Sequence, residues 1–277
     1  MSLKKIYKPR IISVDALLMA FAMVMTGAFA ANAQGPIDGF MKRAKETDFA
    51  LTYSYENYDQ YWFGSELEDR TLEIQSINLF IAHALGRRFN LIASIPYMKT
   101  QTEQGLQDAI LALKFINKKH EYTHGKLTRL SALGFSFPLG DYDNEVENPL
   151  GARTVNFMLR HVVQYQSNQG WFAHLQSGIE FQLVPISRLG IPLVARAGWG
   201  GKRIYVDFWW EFFHTFNGGV NQTIGSGEGS QWSRIGGTFY VAINDHIGVF
   251  IGAAETLSGK NIGKASRINT GLVLKRF

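Results

Sequence analysis

Residues 171–183 read Trp-Phe-Ala-His-Leu-Gln-Ser-Gly-Ile-Glu-Phe-Gln-Leu. The odd positions are Trp, Ala, Leu, Ser, Ile, Phe and Leu; the even ones are Phe, His, Gln, Gly, Glu and Gln. Successive side chains of a strand point to opposite faces, so this period of two describes a strand with one apolar and one polar face. The stretch 204–213 repeats the pattern. Ile204, Val206, Phe208, Trp210 and Phe212 alternate with Tyr205, Asp207, Trp209, Glu211 and Phe213. Near the start of the chain, Phe49, Leu51, Tyr53 and Tyr55 alternate with Ala50, Thr52, Ser54 and Glu56.

Working outward from these stretches gives twelve alternating segments, at about 48–58, 71–85, 88–101, 106–118, 126–138, 152–166, 170–184, 190–199, 203–217, 231–244, 247–257 and 265–277. Most exceed the roughly 5–6 residues usual for a soluble strand and match a tilted strand crossing a bilayer, about 9–11 residues plus overhang. No helix-period segment exceeds two turns. The connections alternate in length. Gly86-Arg87, Ser167-Asn168-Gln169, Gly200-Gly201-Lys202 and Asn244-Asp245-His246 read as tight turns, whereas 59–70, 139–151 and 218–230 read as longer polar loops. Short turns at one end and long loops at the other are the mark of an outer-membrane barrel. The connection 119–125 is longer than its place on the short side predicts. A secreted β-sandwich shares the alternation, with shorter strands and less regular loops. The expected fold is therefore all-β, a transmembrane antiparallel barrel of about twelve strands.

Composition agrees. Of 277 residues, 46% are hydrophobic, 13% aromatic and only 18% charged, with 28 Gly and no Cys. Absence of Cys excludes a disulfide framework, a thiolate metal site and an N-terminal lipidated Cys. The mean hydropathy of −0.07 is too low for a helical membrane protein. The aromatic share is too high for a disordered chain. Lys4, Lys5, Lys8 and Arg10, then the apolar run Ala16 to Ala30, then Ala31-Asn32-Ala33 have the layout of a cleavable secretory signal. Its removal takes four cations and the anion Asp15, so the formal charge falls from +5 to +2. The basic balance is largely a targeting feature and no argument for nucleic acid. The expected organisation is a signal peptide over 1–33, a short N-terminal periplasmic segment over 34–47 and the barrel over 48–277.

Three segments carry a family resemblance. They are Asn90-Leu91-Ile92-Ala93-Ser94-Ile95-Pro96-Tyr97, Gln104-Gly105-Leu106-Gln107-Asp108 running on to Phe115, and Phe135-Ser136-Phe137-Pro138-Leu139-Gly140-Asp141-Tyr142. Together they resemble the outer-membrane transporter family associated with the MetA pathway of phenol degradation, with Gln107 where that family often has a second Gly. The resemblance implies a β-barrel passing small hydrophobic or aromatic molecules. It offers no catalytic residue to carry over.

Candidate chemistry is sparse. Ser167 invites comparison with outer-membrane phospholipases, but it reads as part of a turn, with Tyr165 two residues before it and His161 six away; no Ser with a lipid-facing His is apparent from spacing. Asp141, Asp143, Asn144, Glu145 and Glu147 form an acidic loop without EF-hand spacing. The Gly-rich stretch 225–230 lacks the Lys-Ser/Thr of a phosphate loop. His161, His174 and His214 do not cluster at ligand spacing. No cofactor, metal or catalytic residue is expected. The polar phase is richer. Arg160, His174, Glu180, Arg196, Tyr205, Asp207, Trp209, Glu211 and Arg234 fall on the face opposite the lipid-facing residues and are the expected lumen lining. Facing charges there pair across a pore or fill a closed core. The expected role is a channel or transporter for small molecules. The alternatives are a barrel enzyme acting on lipids and a non-conducting structural or surface-binding barrel. Expected partners are outer-membrane lipid and lipopolysaccharide, an unidentified small solute, and the barrel-assembly machinery through the last strand and Phe277. Ile268, Leu272 and Leu274 lie on the other phase from Phe277.

Overall fold

A bilayer offers no water to a peptide group, so a sheet crossing it must pair every strand on both sides. The computed structural model describes residues 37–142, 150, 153–184, 187–216 and 229–276, and it meets that condition by closure. Its strands are β1 (Thr47–Phe63), β2 (Glu66–Ala84), β3 (Phe89–Lys99), β4 (Gln104–Leu106), β5 (Asp108–Tyr122), β6 (Gly125–Pro138), β7 (Val155–Ser167), β8 (Trp171–Val184), β9 (Arg188–Gly200), β10 (Ile204–Phe216), β11 (Gln231–Ala242), β12 (Ile247–Lys260), β13 (Ile262–Gly263) and β14 (Ser266–Arg276). β4 and β13 are short additions to β3 and β1. The other twelve form one antiparallel barrel, closed where β1 pairs with β14 from Thr47↔Arg276 to Asn57↔Ser266 while also pairing with β2. The all-β class and the count of twelve spanning strands agree with the expectation from sequence.

Alternation sorts the wall into two faces. Outward residues such as Leu51, Ile77, Leu111, Leu133, Leu175, Phe208 and Ile251 are exposed, while their inward neighbours are buried or half-buried. Trp171 at 61%, Tyr122 at 52% and Phe89 at 46% exposure flank the tight turns on the outside, where aromatic rings sit at a membrane interface. Ile268, Leu272 and Leu274 face outward on β14. Residues 1–36, which hold the signal-peptide reading, and Phe277 lie outside the described residues.

Two connections differ from their expected form. The stretch 59–70 is not a loop: β1 runs to Phe63, β2 begins at Glu66, and Gly64 turns the chain at a φ of 60°. Its charges, Asp59, Glu66, Glu68, Asp69 and Arg70, resemble a loop because this hairpin projects past the apolar band and needs no lipid-facing side. It is held instead by Tyr58, Tyr61, Leu72 and Ala265, packed as a buried cluster. The stretch 119–125 is likewise a strand–turn–strand, with β5 ending at Tyr122, a turn at Thr123-His124 and β6 starting at Gly125. That end of the barrel therefore has tight turns throughout. Of the other expected loops, residues 143–149 and 151 of the first and 218–228 of the second lie outside the described residues.

The second and third resemblance segments meet in space. The Tyr142 hydroxyl donates to Asp108, and Arg153 N donates to the same hydroxyl at 3.0 Å. Burial and the Asp108 carboxylate both push the Tyr142 phenol up from its usual range.

Phe208 is 59% exposed on the outer face of β10. A cation at a central lipid-facing site costs about 2–4 kcal/mol. Phe208→Arg is therefore expected to reduce the yield of the compact, heat-modifiable form on SDS gels. Wild-type yield would remove this face from the membrane.

Candidate functional site

The inner wall carries charge in register. On β7 and β8, Arg160 meets Glu180 at 2.5 Å and donates to the Ile179 carbonyl at 3.0 Å. One row crosses three strands, His174 opposite Arg196 and Arg196 opposite Trp209. Arg196 Nε lies 3.4 Å from Asp207 Oδ2, which also accepts a 2.7 Å hydrogen bond from the Tyr205 hydroxyl. Glu211 pairs in register with Arg234, and it lies within electrostatic reach of Arg234, Arg160, Arg267 and Arg196. Arg234 donates to Thr256 Oγ1 at 3.1 Å and stacks over Trp232. Arg267 pairs with Glu56 across the closing seam. Of the nine residues expected on the lumen, Arg160, His174, Arg196, Asp207 and Trp209 are buried, and Glu180, Tyr205, Glu211 and Arg234 are half-buried. A Cβ on Gly236 would overlap the Trp209 indole, so that glycine makes the ring's place. His174 Nε2, Gln176 Oε1, Asp207 Oδ1 and Trp209 Nε1 are buried along this row.

The sequence-based lining omitted the residues that organise the lumen's tight-turn half. Residues 37–41 pack against the inside of the barrel, while Arg43, Ala44 and Lys45 are exposed on the way to β1. Ile37 is buried against Ala82, Ile92, Ala112, Leu130, Ala132 and Val162, five strands' worth of inner wall. Gly39 rests on Gln164 so closely that a Cβ would overlap the Gln164 amide. Phe40 sets its ring edge against Phe172 at 5.1 Å and Tyr205 at 6.1 Å, which are themselves stacked at 5.6 Å. Lys42 pairs with Asp48 at the start of β1. Lys114, on β5 and only 4% exposed, donates to Asp38 Oδ1 at 2.5 Å, to the Asp38 carbonyl at 3.3 Å and to the Phe40 carbonyl at 2.6 Å. An ammonium has three protons, and all three are spent on this segment. Burial raises the Asp38 pKa, but Lys114, with Lys42 and Arg196 behind it, outweighs burial and holds the carboxyl at about 2. Lys114 was legible as an inward residue, since Leu113 and Phe115 flank it. Nothing periodic marks Asp38 or Phe40.

Ser167 behaves as a turn residue, its Oγ accepting from Trp171 N at 3.0 Å. A Ser–His contact does exist on the outer face, contrary to the reading from spacing. Ser131 Oγ lies 3.2 Å from His161 Nδ1 and donates to Asn117 Oδ1 at 3.0 Å. Ser131 and His161 are adjacent only through the β6–β7 register, which places them opposite each other. Asp141 of the acidic loop pairs with Arg153 at 2.5 Å; positions 143–147 lie outside the described residues. Among the described residues no three His, Asp or Glu side chains converge as a metal site.

No protein-family model and no curated protein matches the chain. Solved structures share its fold. The COG4313 outer membrane channel from Pseudomonas putida F1 superposes with a TM-score of 0.71 at 14% identity, over 88% of this chain and 100% of that one. The NanC porin gives 0.53 at 7% identity over 82% and 98%, and the KdgM porin gives 0.51 at 10% over 82% and 99%. At these identities the likeness is one of architecture.

Asp38 titrates well below its ordinary 3.8 when seated. A depressed carboxyl contributes its stabilisation above the ordinary pKa and loses it as pH falls through the depressed one. Pepsin cleavage next to Phe40 is therefore expected to be slow near pH 4 and to accelerate as pH approaches 2 in the folded barrel. Asp38→Asn is expected to show fast cleavage already near pH 4. A cleavage rate indifferent to both changes would dissociate the segment's seating from this ion pair.

Proposed function

We propose that the chain is an outer-membrane channel passing small molecules through its barrel, and that residues 37–46 set how open that passage is. The observation that carries the reading is the lumen itself. Its charges are arranged along the inner wall in both signs, and in its tight-turn half residues 37–41 are packed against the wall's own side chains. A purely structural core needs neither. The signal-peptide pattern of residues 1–33, the apolar outer band and the porin and channel architectures of the similar structures support an outer-membrane location, in contact with phospholipid and lipopolysaccharide. Assembly through the last strand and Phe277 follows from the same reading. The resemblance to the MetA-associated family favours a small hydrophobic or aromatic solute.

One observation favours a second reading, hydrolysis of lipid. Ser131 and His161 are within hydrogen-bonding distance on the lipid-facing side, the arrangement an acyl-transferring Ser needs. Two features place it second. Asn117 takes the Ser131 proton, and no third group among the described residues orients His161 from its far nitrogen. Release of fatty acid from phospholipid by the refolded protein, abolished in Ser131→Ala, would reverse the order.

Planar-bilayer recording tests the channel. Ion steps are expected, larger in Asp38→Asn. Glu211 stands among four arginines, and a charge in a narrow pore sets the local potential for permeant ions. Glu211→Gln is therefore expected to assemble normally and to shift the reversal potential toward anion preference. A silent protein in both forms would leave the lumen charges as structural filling and end the channel reading.

A further inference from the structure

Asp38 and Phe40 occupy two different kinds of surface at once. The carboxylate and its two neighbouring carbonyls take every proton of Lys114, an ammonium buried in the wall. Two residues along, the Phe40 ring enters the slot against Phe172 and Tyr205, approaching both edge-on at 78°. Arg196 and Lys42 add positive potential around the carboxylate. The wall therefore presents a cation beside an aromatic slot, and neither feature is completed by the wall. Lys114 belongs to β5, the slot to β8 and β10; they converge only across the lumen. A buried ammonium without its counter-ion is costly, so when the segment leaves, something anionic has to take its place or water must enter.

We propose that Lys114 and the Phe172–Tyr205 pair form a binding site for small aromatic carboxylates, and that Asp38 and Phe40 act as a built-in competitor for it. A solute carrying both a ring and a carboxylate replaces both contacts at once; a neutral aromatic replaces one, an aliphatic acid the other. Occupation of the site and release of residues 37–46 are then one exchange, in which the barrel never leaves Lys114 bare. The solute class rests on the channel reading only for its passage across the membrane; binding itself stands apart from conduction.

The test uses the refolded mature protein and 3-phenylpropionate, with 3-phenylpropan-1-ol as the neutral match. Asp38→Asn/Phe40→Ala removes the competitor without touching a strand. By equilibrium dialysis it is expected to bind 3-phenylpropionate at least tenfold more tightly than wild type, and to gain several-fold less for the alcohol, which meets the ring slot alone. Adding Lys114→Gln is expected to return the acid to wild-type weakness. No gain in the double variant, an equal gain for acid and alcohol, or indifference to Lys114→Gln each overturns the proposal. Heat-modifiable migration verifies folding of each variant. Wild type supplies an independent measurement: 3-phenylpropionate is expected to accelerate chymotryptic cleavage after Phe40 saturably, the alcohol not. Failure of that acceleration also overturns the competition. Conductance recorded on the same preparations separates the two readings. Binding without conductance retains the site and removes the channel, and conductance without binding does the reverse.

Discussion

Closure between β1 and β14 is the interaction on which the rest depends. In hydrocarbon an unpaired strand edge leaves its N–H and carbonyl groups unsatisfied. The eleven residue pairs from Thr47↔Arg276 to Asn57↔Ser266 remove the only edges the sheet would have. Once the sheet is closed, the two faces of every strand acquire fixed and opposite solvents. Leu175 and Phe208 meet lipid because His174 and Asp207 cannot, and the reverse holds inside. The seam also brings Glu56 to Arg267, a pair separated by most of the chain.

The lumen then inherits a problem of its own. Its polar side chains are shielded from bulk water by the same wall that shields them from lipid, so each charge needs a partner nearby. Arg160 finds Glu180 on the next strand, Arg196 finds Asp207, and Arg267 finds Glu56. Lys114 differs from these: its partner comes from outside the sheet, carried in by the N-terminal segment. Wall and segment are complementary in charge at that point and complementary in shape at the Phe172–Tyr205 slot and at Gly39.

Much of this was legible in residue order. A period of two is a local property, and it separates Phe208 from Asp207 or Leu175 from His174 without knowledge of any neighbour. Its failure at 59–70 has a physical reason: alternation of polar with apolar residues needs two solvents, and the projecting hairpin has water on both sides except where Tyr58 and Tyr61 pack. The pairs that depend on register were out of reach. Ser131 and His161 are thirty residues apart, and only the β6–β7 ladder sets them opposite. Glu56 and Arg267 required the closing seam. The segment 37–46 has no period at all; its structure is imposed by the cavity that receives it, and Asp38 and Phe40 gain their meaning only from Lys114, Phe172 and Tyr205.

An even number of spanning strands brings Thr47 and Arg276 to the same end, hydrogen-bonded in register. Residues 37–46 are tethered directly to the first of those strands, and the walls they pack against belong to β2, β3 and β5 to β8 and to β10. Their receptacle therefore does not exist until most of the sheet has formed and curled, and the tether lies beside the closing seam. The packing of the N-terminal residues thus presupposes a wall gathered from seven strands, although in sequence they adjoin only the first of the strands.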